Sequence, residues 1–314
     1  MDAPSVTAGG TVRHFLDIAD LDSATLWTLL DEAERRRSLR HGRFKAAADP
    51  DRPLDGAAVA CLFAKPSTRT RVSFDAAIRQ LGGAPQVLDG MGLQIGRGET
   101  LDDTARALSR YVDAIVFRAS SHDDMMLMAG AAQVPAINAL TDRGHPCQAV
   151  GDLLTLKQHR GTLDGARIAW LGDGNNVAIS LVQAAVRLGV SVHLAGPDGH
   201  IPPELLAWAQ TQGGDVHAGV DPDAAVAGAD AVYTDTWASM GNEGAETTHF
   251  ERFRVTEALM AAAPDAVFMH CLPAYRGKEV TAAVIDGPRS VVWDQAENRL
   301  HAQKAILLYC FDRL

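Results

Sequence analysis

Ala57-Ala-Val-Ala-Cys61-Leu-Phe-Ala64-Lys65-Pro66-Ser67-Thr68-Arg69-Thr70-Arg71 is the stretch on which the reading of this chain turns. Its first half, Ala57–Ala64, is a short apolar run without polar alternation, as expected of a strand covered on both faces. Pro66 ends the run, and Ser67 stands where a helix N-cap belongs. Beyond it, Phe74, Ala77, Ile78 and Leu81 recur at helical spacing and predict a helix over Thr70–Leu81. A buried strand leading directly into an amphipathic helix is half of a strand–helix–strand unit in a parallel sheet. The first backbone N–H groups of such a helix have no intrahelical partner and point at whatever precedes them. Together with the hydroxyls and with Arg69 and Arg71 they would cradle a tetrahedral dianion. The plain alternative is a capped helix followed by solvated arginines. Position decides between them, because the C-terminal edge of a parallel sheet is where ligands bind.

The same alternation runs outward in both directions. Further strand candidates are Gln86–Asp89, Ala114–Phe117, Val134–Asn138, Arg167–Leu171, Ser191–Ala195, Ala231–Thr234, Ala266–His270 and Ser290–Trp293. That is too many for one sheet of ordinary width, so the expected fold is α/β, with two parallel-sheet domains in series. A helix from about Pro146 to about His159 joins the two halves. The expected domains are residues 1–147 and 148–294. In the segment 295–314, Ala302, Ala305, Ile306, Tyr309 and Cys310 form one apolar stripe, so it should pack back across the first domain.

Composition narrows the function classes. The chain has 314 residues, 47% hydrophobic and 22% charged, which excludes a disordered or collagen-like protein. No apolar run approaches the length of a membrane-spanning helix, and the N-terminal residues lack the pattern of a signal peptide. A net charge of −10 argues against general nucleic-acid binding while leaving room for a local basic pocket. The four cysteines, Cys61, Cys147, Cys271 and Cys310, contain no C-x-x-C pair, so neither a disulfide framework nor a structural zinc site is expected. A cytoplasmic protein without nucleic-acid or membrane partners is the expectation.

Other candidate groups stand at predicted strand ends. Arg118 follows Ala114–Phe117. His145 precedes a helix-opening Pro146, and Gln148 comes three positions later, so an imidazole and an amide can face one ligand. Gly172-Asp-Gly174-Asn-Asn176 looks like a dinucleotide fingerprint, but Val177 occupies the place of the third glycine. A loop offering asparagine side chains to a small ligand fits it better. Asp235-Thr-Trp-Ala-Ser239-Met240-Gly241 follows the Ala231–Thr234 strand and suits an amino-acid head group with a cationic tail. His270-Cys271-Leu272-Pro273 follows another strand, and Glu297-Asn298-Arg299 lies in the last helix.

S-T-R-T-R, H-P-C-Q, D-T-W-x-S-M-G, H-C-L-P and E-N-R, in that order from Ser67 to Arg299, closely resemble the motifs of the ornithine carbamoyltransferases. The resemblance spans nearly the whole chain. It implies an N-terminal carbamoyl-phosphate domain and a C-terminal amino-acid domain, joined by two interdomain helices. It also implies that Ser67, Thr68, Arg69 and Thr70 hold the phosphate, while Arg118, His145, Gln148, Cys271, Leu272 and Arg299 hold the carbamoyl end. Gln94 matches a glutamine that family members offer across a subunit boundary. Asn176, Asp235, Ser239 and Met240 match the ornithine contacts. Catalysis would rest on Arg118, His145, Asp235 and Cys271. Family members build homotrimers with shared active sites, some assembled further. Arg97-Gly98-Glu99 departs from the common pattern, which leaves open which group near Gln94, Arg97 and Gly98 completes the cross-subunit contact.

The implied reaction moves a carbamoyl group from carbamoyl phosphate to the δ-amine of L-ornithine, giving L-citrulline and phosphate, with arginine biosynthesis as its setting. Neither metal nor cofactor is required. An aspartate-specific relative would need basic contacts for a dicarboxylate, whereas Asp235 and S-M-G suit an amine. N-acyl-ornithine or putrescine relatives, a non-catalytic binding paralogue and a nicotinamide dehydrogenase are the alternatives. The first two are disfavoured by the intact S-M-G, the third by the retained Arg69, Arg118, His145 and Cys271, the last by the missing glycine.

Overall fold

The computed structural model describes residues 12–89, 98–237 and 246–314. Its first half runs α1 (Ser23–Ser38), β1 (Ala58–Phe63), α2 (Thr68–Gln80), β2 (Ala84–Asp89), α3 (Leu101–Leu108), β3 (Ala114–Arg118), α4 (His122–Ala131), β4 (Ala136–Leu140) and α5 (Pro146–Arg160). The second continues with β5 (Arg167–Leu171), α6 (Asn176–Arg187), β6 (Ser191–Ala195), α7 (Pro203–Thr211), β7 (Val216–Gly219), α8 (Pro222–Val226) and β8 (Ala231–Thr234). After a 3-10 turn over Thr248–Phe253 come α9 (Glu257–Ala261), β9 (Val267–His270), α10 (Ala282–Ile285) and α11 (Val292–Cys310).

Two sheets result, with orders β2-β1-β3-β4 and β7-β6-β5-β8-β9, and every named pairing is parallel. The chain is thus two parallel-sheet α/β domains in series. The central strands are buried from end to end, as in Ala114–Arg118 and Ala231–Thr234, because helices cover both faces.

Two sequence expectations need correction. Ser290–Trp293 is not a strand: only Ser290 bridges, to Phe268, and Val292 already opens α11. Val291, Val292 and Trp293 favour a strand locally, yet a nineteen-residue packed helix outweighs a preference spread over three residues. Conversely, β7 carries no apolar run; it is a largely exposed edge strand, Val216-His-Ala-Gly219, recruited by pairing with β6.

The strand orders place the site. In the first sheet the connections diverge between β1 and β3, and in the second between β5 and β8. Such switch points leave a crevice at the carboxyl ends of the strands. The crevice residues are therefore those after β1 and β3, including Ser67 and Arg118, and those after β5 and β8, including Asn175 and Asp235.

Two helices pack side by side between these layers. α5 touches β4 and α6, and α11 touches α1, α2, α5 and β9. They pack closely at Gly151, where an added Cβ would meet the backbone nitrogen of Arg299 at 3.4 Å. α11 is buried well beyond the predicted stripe. Ala302, Ala305, Ile306 and Cys310 are covered, but so are Gln295, Asn298, Arg299, His301, Gln303 and Lys304. Several of these polar groups bond inward: Asn298 Nδ2 donates to Thr155 Oγ1 at 2.9 Å, and Lys304 Nζ bridges both oxygens of Asp49 at 3.0 Å.

Candidate active site

A single cavity of about 510 Å³ opens between the two crevices and takes its walls from both domains. On the first wall, Ser67 caps α2, its Oγ accepting from Thr70 N at 3.3 Å, and Arg69 rises from the first turn. Arg118 stands at the end of β3, buried. Arg299 reaches in from α11, its Nη2 donating to Thr70 Oγ1 at 2.6 Å. Three guanidinium groups thus surround one helix N-terminus. Burial, and then Arg299 and Arg69, push the Arg118 pKa down to about 10. Arg299 and Arg69 are lowered too, burial again being the main cause. A water-poor concentration of positive charge with no ion-paired carboxylate among the described residues is built for an anion.

His145 and Gln148 lie beside this cluster because Pro146 starts α5 at the crevice. The His145 backbone N–H donates to Ser180 Oγ at 2.9 Å, which fixes the entry of the helix. Complete burial, reinforced by Arg299, Arg118 and Arg69, holds the His145 imidazole neutral, well below the usual range. Its Nδ1 has no partner among the described residues, nor have Gln148 Oε1, Arg118 Nε and Arg299 Nε, although all are buried. Unpaired buried polar atoms are costly, so their convergence on one cavity marks where a ligand's own donors and acceptors belong.

The second wall is anionic. Asp235 follows β8; its Oδ1 accepts from Cys271 Sγ at 2.9 Å and its Oδ2 from Asn175 Nδ2 at 2.8 Å. Asn175 is the N-cap of α6, its Oδ1 accepting from Val177 N and Ala178 N, so the cap also aims the carboxylate. Gly174 permits this turn: an added Cβ would sit 2.4 Å from Pro202 Cδ and 2.8 Å from the His200 carbonyl oxygen. Asn176 Nδ2 donates to the Thr141 carbonyl oxygen at 2.5 Å, linking the second domain to the β4–α5 loop. Burial and the adjacent Asp235 push the Cys271 thiol well above its ordinary value, so it serves as a donor.

Asp235, His270 and Cys271 lie close enough together to suggest metal ligands. The histidine is already committed, however. Its Nδ1 accepts from Leu272 N at 2.9 Å, which puts the ring proton on Nε2, facing Glu279 Oε1 at 3.3 Å. His270 therefore orients the Cys271–Leu272 turn and offers no lone pair toward Asp235.

Of the residues singled out from sequence, Ser67, Arg69, Thr70, Arg118, His145, Gln148, Asn176, Asp235, Cys271, Leu272 and Arg299 all line the cavity. Thr68 and Arg71 do not; both side chains are exposed on α2, so the cradle has fewer side chains than expected. Gln94, Arg97, Ser239 and Met240 lie outside the described residues. Cys147 turns away from the cavity and donates to the Asn138 carbonyl oxygen at 3.3 Å. Asn175, the other asparagine of the quoted loop, lines the cavity beside Asn176, although the resemblance assigns the ornithine contact to Asn176 alone. Sequence reasoning missed Trp237, whose buried indole N–H at the cavity wall lacks a partner among the described residues, and Asp152, one helical turn from Gln148.

Fold and site define a class: a two-domain parallel α/β protein with an anion cradle facing a carboxylate-bearing pocket across one cleft. Two family models match the chain, the carbamoyl-P binding domain of aspartate/ornithine carbamoyltransferase over residues 13–158 and the Asp/Orn binding domain over residues 164–310. The chain belongs to the aspartate/ornithine carbamoyltransferase family. A similar curated protein is ornithine carbamoyltransferase of Rhizorhabdus wittichii, 55% identical over 96% of this chain and 99% of that one. Among solved structures, ornithine carbamoyltransferase from Pyrococcus furiosus has a TM-score of 0.89 at 47% identity, covering 95% of this chain and 96% of its own. The anabolic ornithine carbamoyltransferase from Campylobacter jejuni matches with a TM-score of 0.89 at 34% identity, over 96% of this chain and 100% of its own.

Proposed function

We propose that this chain transfers the carbamoyl group of carbamoyl phosphate to the δ-amine of L-ornithine, releasing L-citrulline and phosphate. The observation that carries this reading is the opposition of the two walls. Arg69, Arg118 and Arg299 around the capped start of α2 face Asp235, Asn175 and Asn176 within one cavity. The names of the relatives point the same way.

The chemistry follows from the charges. The guanidinium groups and the α2 N–H groups take the phosphate of the donor, and with it the charge that grows as it leaves. Arg118, neutral His145 and Thr70 donate to the carbamoyl oxygen, while Gln148 Oε1 accepts from the carbamoyl N–H. Asp235, aimed by Asn175 and Cys271, draws the amine of ornithine toward the carbamoyl carbon. The amine nitrogen bonds to that carbon, the carbon–oxygen bond to phosphate breaks, and the departing phosphate takes the proton lost by the amine. Holding both molecules face to face can lower the barrier by about 7 kcal/mol or more. Neither a metal nor a cofactor has a step in this scheme.

We place the domain boundary within α5, close to residues 147 and 148, with α11 returning to the first domain. The arrangement fits a homotrimer with shared sites, alone or within a larger assembly of trimers: among the described residues β2 is an edge strand that carries exposed Leu88, and Val72 on α2 is exposed too. Among the described residues no helix is long and apolar enough to cross a membrane. A cytoplasmic role in arginine synthesis fits the anabolic label of the Campylobacter structure.

The test is citrulline formation from carbamoyl phosphate with ornithine, run beside N-acetylornithine, N-succinylornithine, putrescine and aspartate. Turnover on ornithine alone is expected. Turnover confined to another amine would overturn the reading of the Asp235 wall and keep the phosphate wall. No turnover on any of the five would overturn the transferase reading.

A further inference from the structure

Asp152 has none of the binding roles assigned above, yet it is fully buried one turn along α5 from Gln148. Its carboxyl accepts side-chain hydrogen bonds from three elements. Oδ1 takes Gln148 Nε2 at 2.8 Å from α5 and Gln295 Nε2 at 2.7 Å from α11; Oδ2 takes the Tyr233 hydroxyl at 3.0 Å from β8. Each partner leads to the cleft. Tyr233 is two residues before Asp235, and Gln295 is one turn before Arg299. The Oε1 of Gln295 accepts from His270 N at 2.9 Å, next to Cys271.

The consequence falls on Gln148. A primary amide has nearly the same shape either way round, so packing alone does not decide which end faces a ligand. An ionised carboxylate only accepts, so an amide beside it must present its NH2 group. Here Nε2 is committed to Asp152, while Oε1 is buried, without a partner among the described residues, on a side chain that lines the cavity. We infer that Asp152 is a positioning residue that locks the Gln148 amide with its oxygen toward the cleft, as an acceptor for the carbamoyl N–H. This inference rests on the proposed carbamoyl transfer and extends it to selectivity. An acyl phosphate with a methyl group in place of the carbamoyl NH2 would leave Oε1 unpaired and be rejected.

A double-mutant cycle separates positioning from mere support. With ornithine saturating, Gln148→Ala and Asp152→Ala are each expected to lower kcat/KM for carbamoyl phosphate by about 10- to 100-fold. The double variant should fall within about twofold of Gln148→Ala, since Asp152 then has nothing left to aim. Asp152→Asn, whose Oδ1 can accept the same two amides while its NH2 donates to Tyr233, should recover most of the loss. Acetyl phosphate should inhibit both alanine variants more strongly, relative to carbamoyl phosphate binding, than it inhibits the parent. If Asp152→Ala does not fold, Asp152→Ser enters the same cycle. Losses that multiply in the double variant would overturn the inference and leave the reaction standing. A parent protein that forms no citrulline would instead overturn the reaction on which the inference rests.

Discussion

The thiol of Cys271 and the carboxylate of Asp235 meet at 2.9 Å across the ends of two neighbouring strands. Their positions follow from the register of the second sheet, in which Thr234 pairs with His270 and so sets the next residues of β8 and β9 beside each other. Asn175 fixes the other oxygen of Asp235, leaving the carboxylate little freedom. Burial and that carboxylate both push the thiol pKa upward, which makes Cys271 a hydrogen-bond donor that aims Asp235.

Serine keeps such a donor and alanine does not. Cys271→Ser should therefore retain kcat/KM for ornithine about tenfold better than Cys271→Ala, a difference of one charge-assisted hydrogen bond. Steady-state kinetics with ornithine varied at saturating carbamoyl phosphate decides it. Equal losses in the two variants would mean that the sulfur acts by its bulk and not by its proton.

Asp152 carries a pH signature of its own. Burial is the largest cause and raises its pKa to about 6, against opposing hydrogen bonds from Gln295, Gln148 and Tyr233 and the charge of Arg299. A carboxyl with a raised folded-state pKa binds more protons folded than unfolded between about 4 and 6. Stability from this group is therefore lost as pH rises through that window. The interval amounts to about 3 kcal/mol at neutral pH. Asp152→Asn removes the titration, so its stability relative to the parent should improve by up to that amount between pH 4 and pH 7.5. Urea unfolding of both proteins at the two pH values measures it. A difference that does not change with pH would mean that Asp152 is not destabilised by its burial.

The parts of this architecture legible in the sequence are those written in short-range patterns. The Arg167–Leu171, Ser191–Ala195 and Ala231–Thr234 strands fall where short apolar or alternating runs put them, and the cap at Ser67 follows from Pro66 and the helix beyond. Family motifs then drew Arg118, His145, Asp235, Cys271 and Arg299 together, which no local pattern could do. The sequence hid groups whose meaning depends on a distant partner. Asn175 reads as an ordinary cap until Asp235 is placed beside it, and Asp152 as an exposed helix residue until Tyr233 and Gln295 close over it. The polar residues of α11 are hidden for the same reason: a single apolar stripe gives no sign that His301, Gln303 and Lys304 are enclosed as well.

Lys304 shows how such a residue is tolerated. Its ammonium is wholly covered, and burial lowers its pKa to about 8, yet both oxygens of Asp49 lie 3.0 Å away. Asp49 also accepts from Arg36 at 3.2 Å and Arg40 at 3.1 Å; Arg36 has Glu32 and Asp51 besides, so among the described residues Lys304 and Arg40 are the cations that rely on this one carboxylate. The pair should respond unequally to substitution. Asp49→Asn leaves buried cations uncompensated and should destabilise by about 3–5 kcal/mol, whereas Lys304→Met leaves Asp49 two arginines and should cost about 2 kcal/mol or less. Chemical denaturation of the two variants gives the order directly, and the reverse order would show that Lys304 carries the network.

The arginine cluster sets the last test, because it is a site whose cost shows without ligand. Arg118 is held near Arg299 and Arg69 with no carboxylate partner among the described residues, and its pKa falls to about 10 through burial first and the two arginines next. Phosphate should relieve that repulsion. At about ten times its dissociation constant it should add about 1.4 kcal/mol to stability, which corresponds to a rise in Tm of about 2 °C for a chain of this size. Arg118→Met removes one charge from the repulsion and fills the space with an apolar chain. It should melt at or above the parent without phosphate and lose most of the increment when phosphate is added. Both arms are read in one thermal-shift experiment. A variant that melts well below the parent and still gains the full phosphate increment would place Arg118 in the scaffold, because a group that binds the anion cannot be removed without changing the response to it.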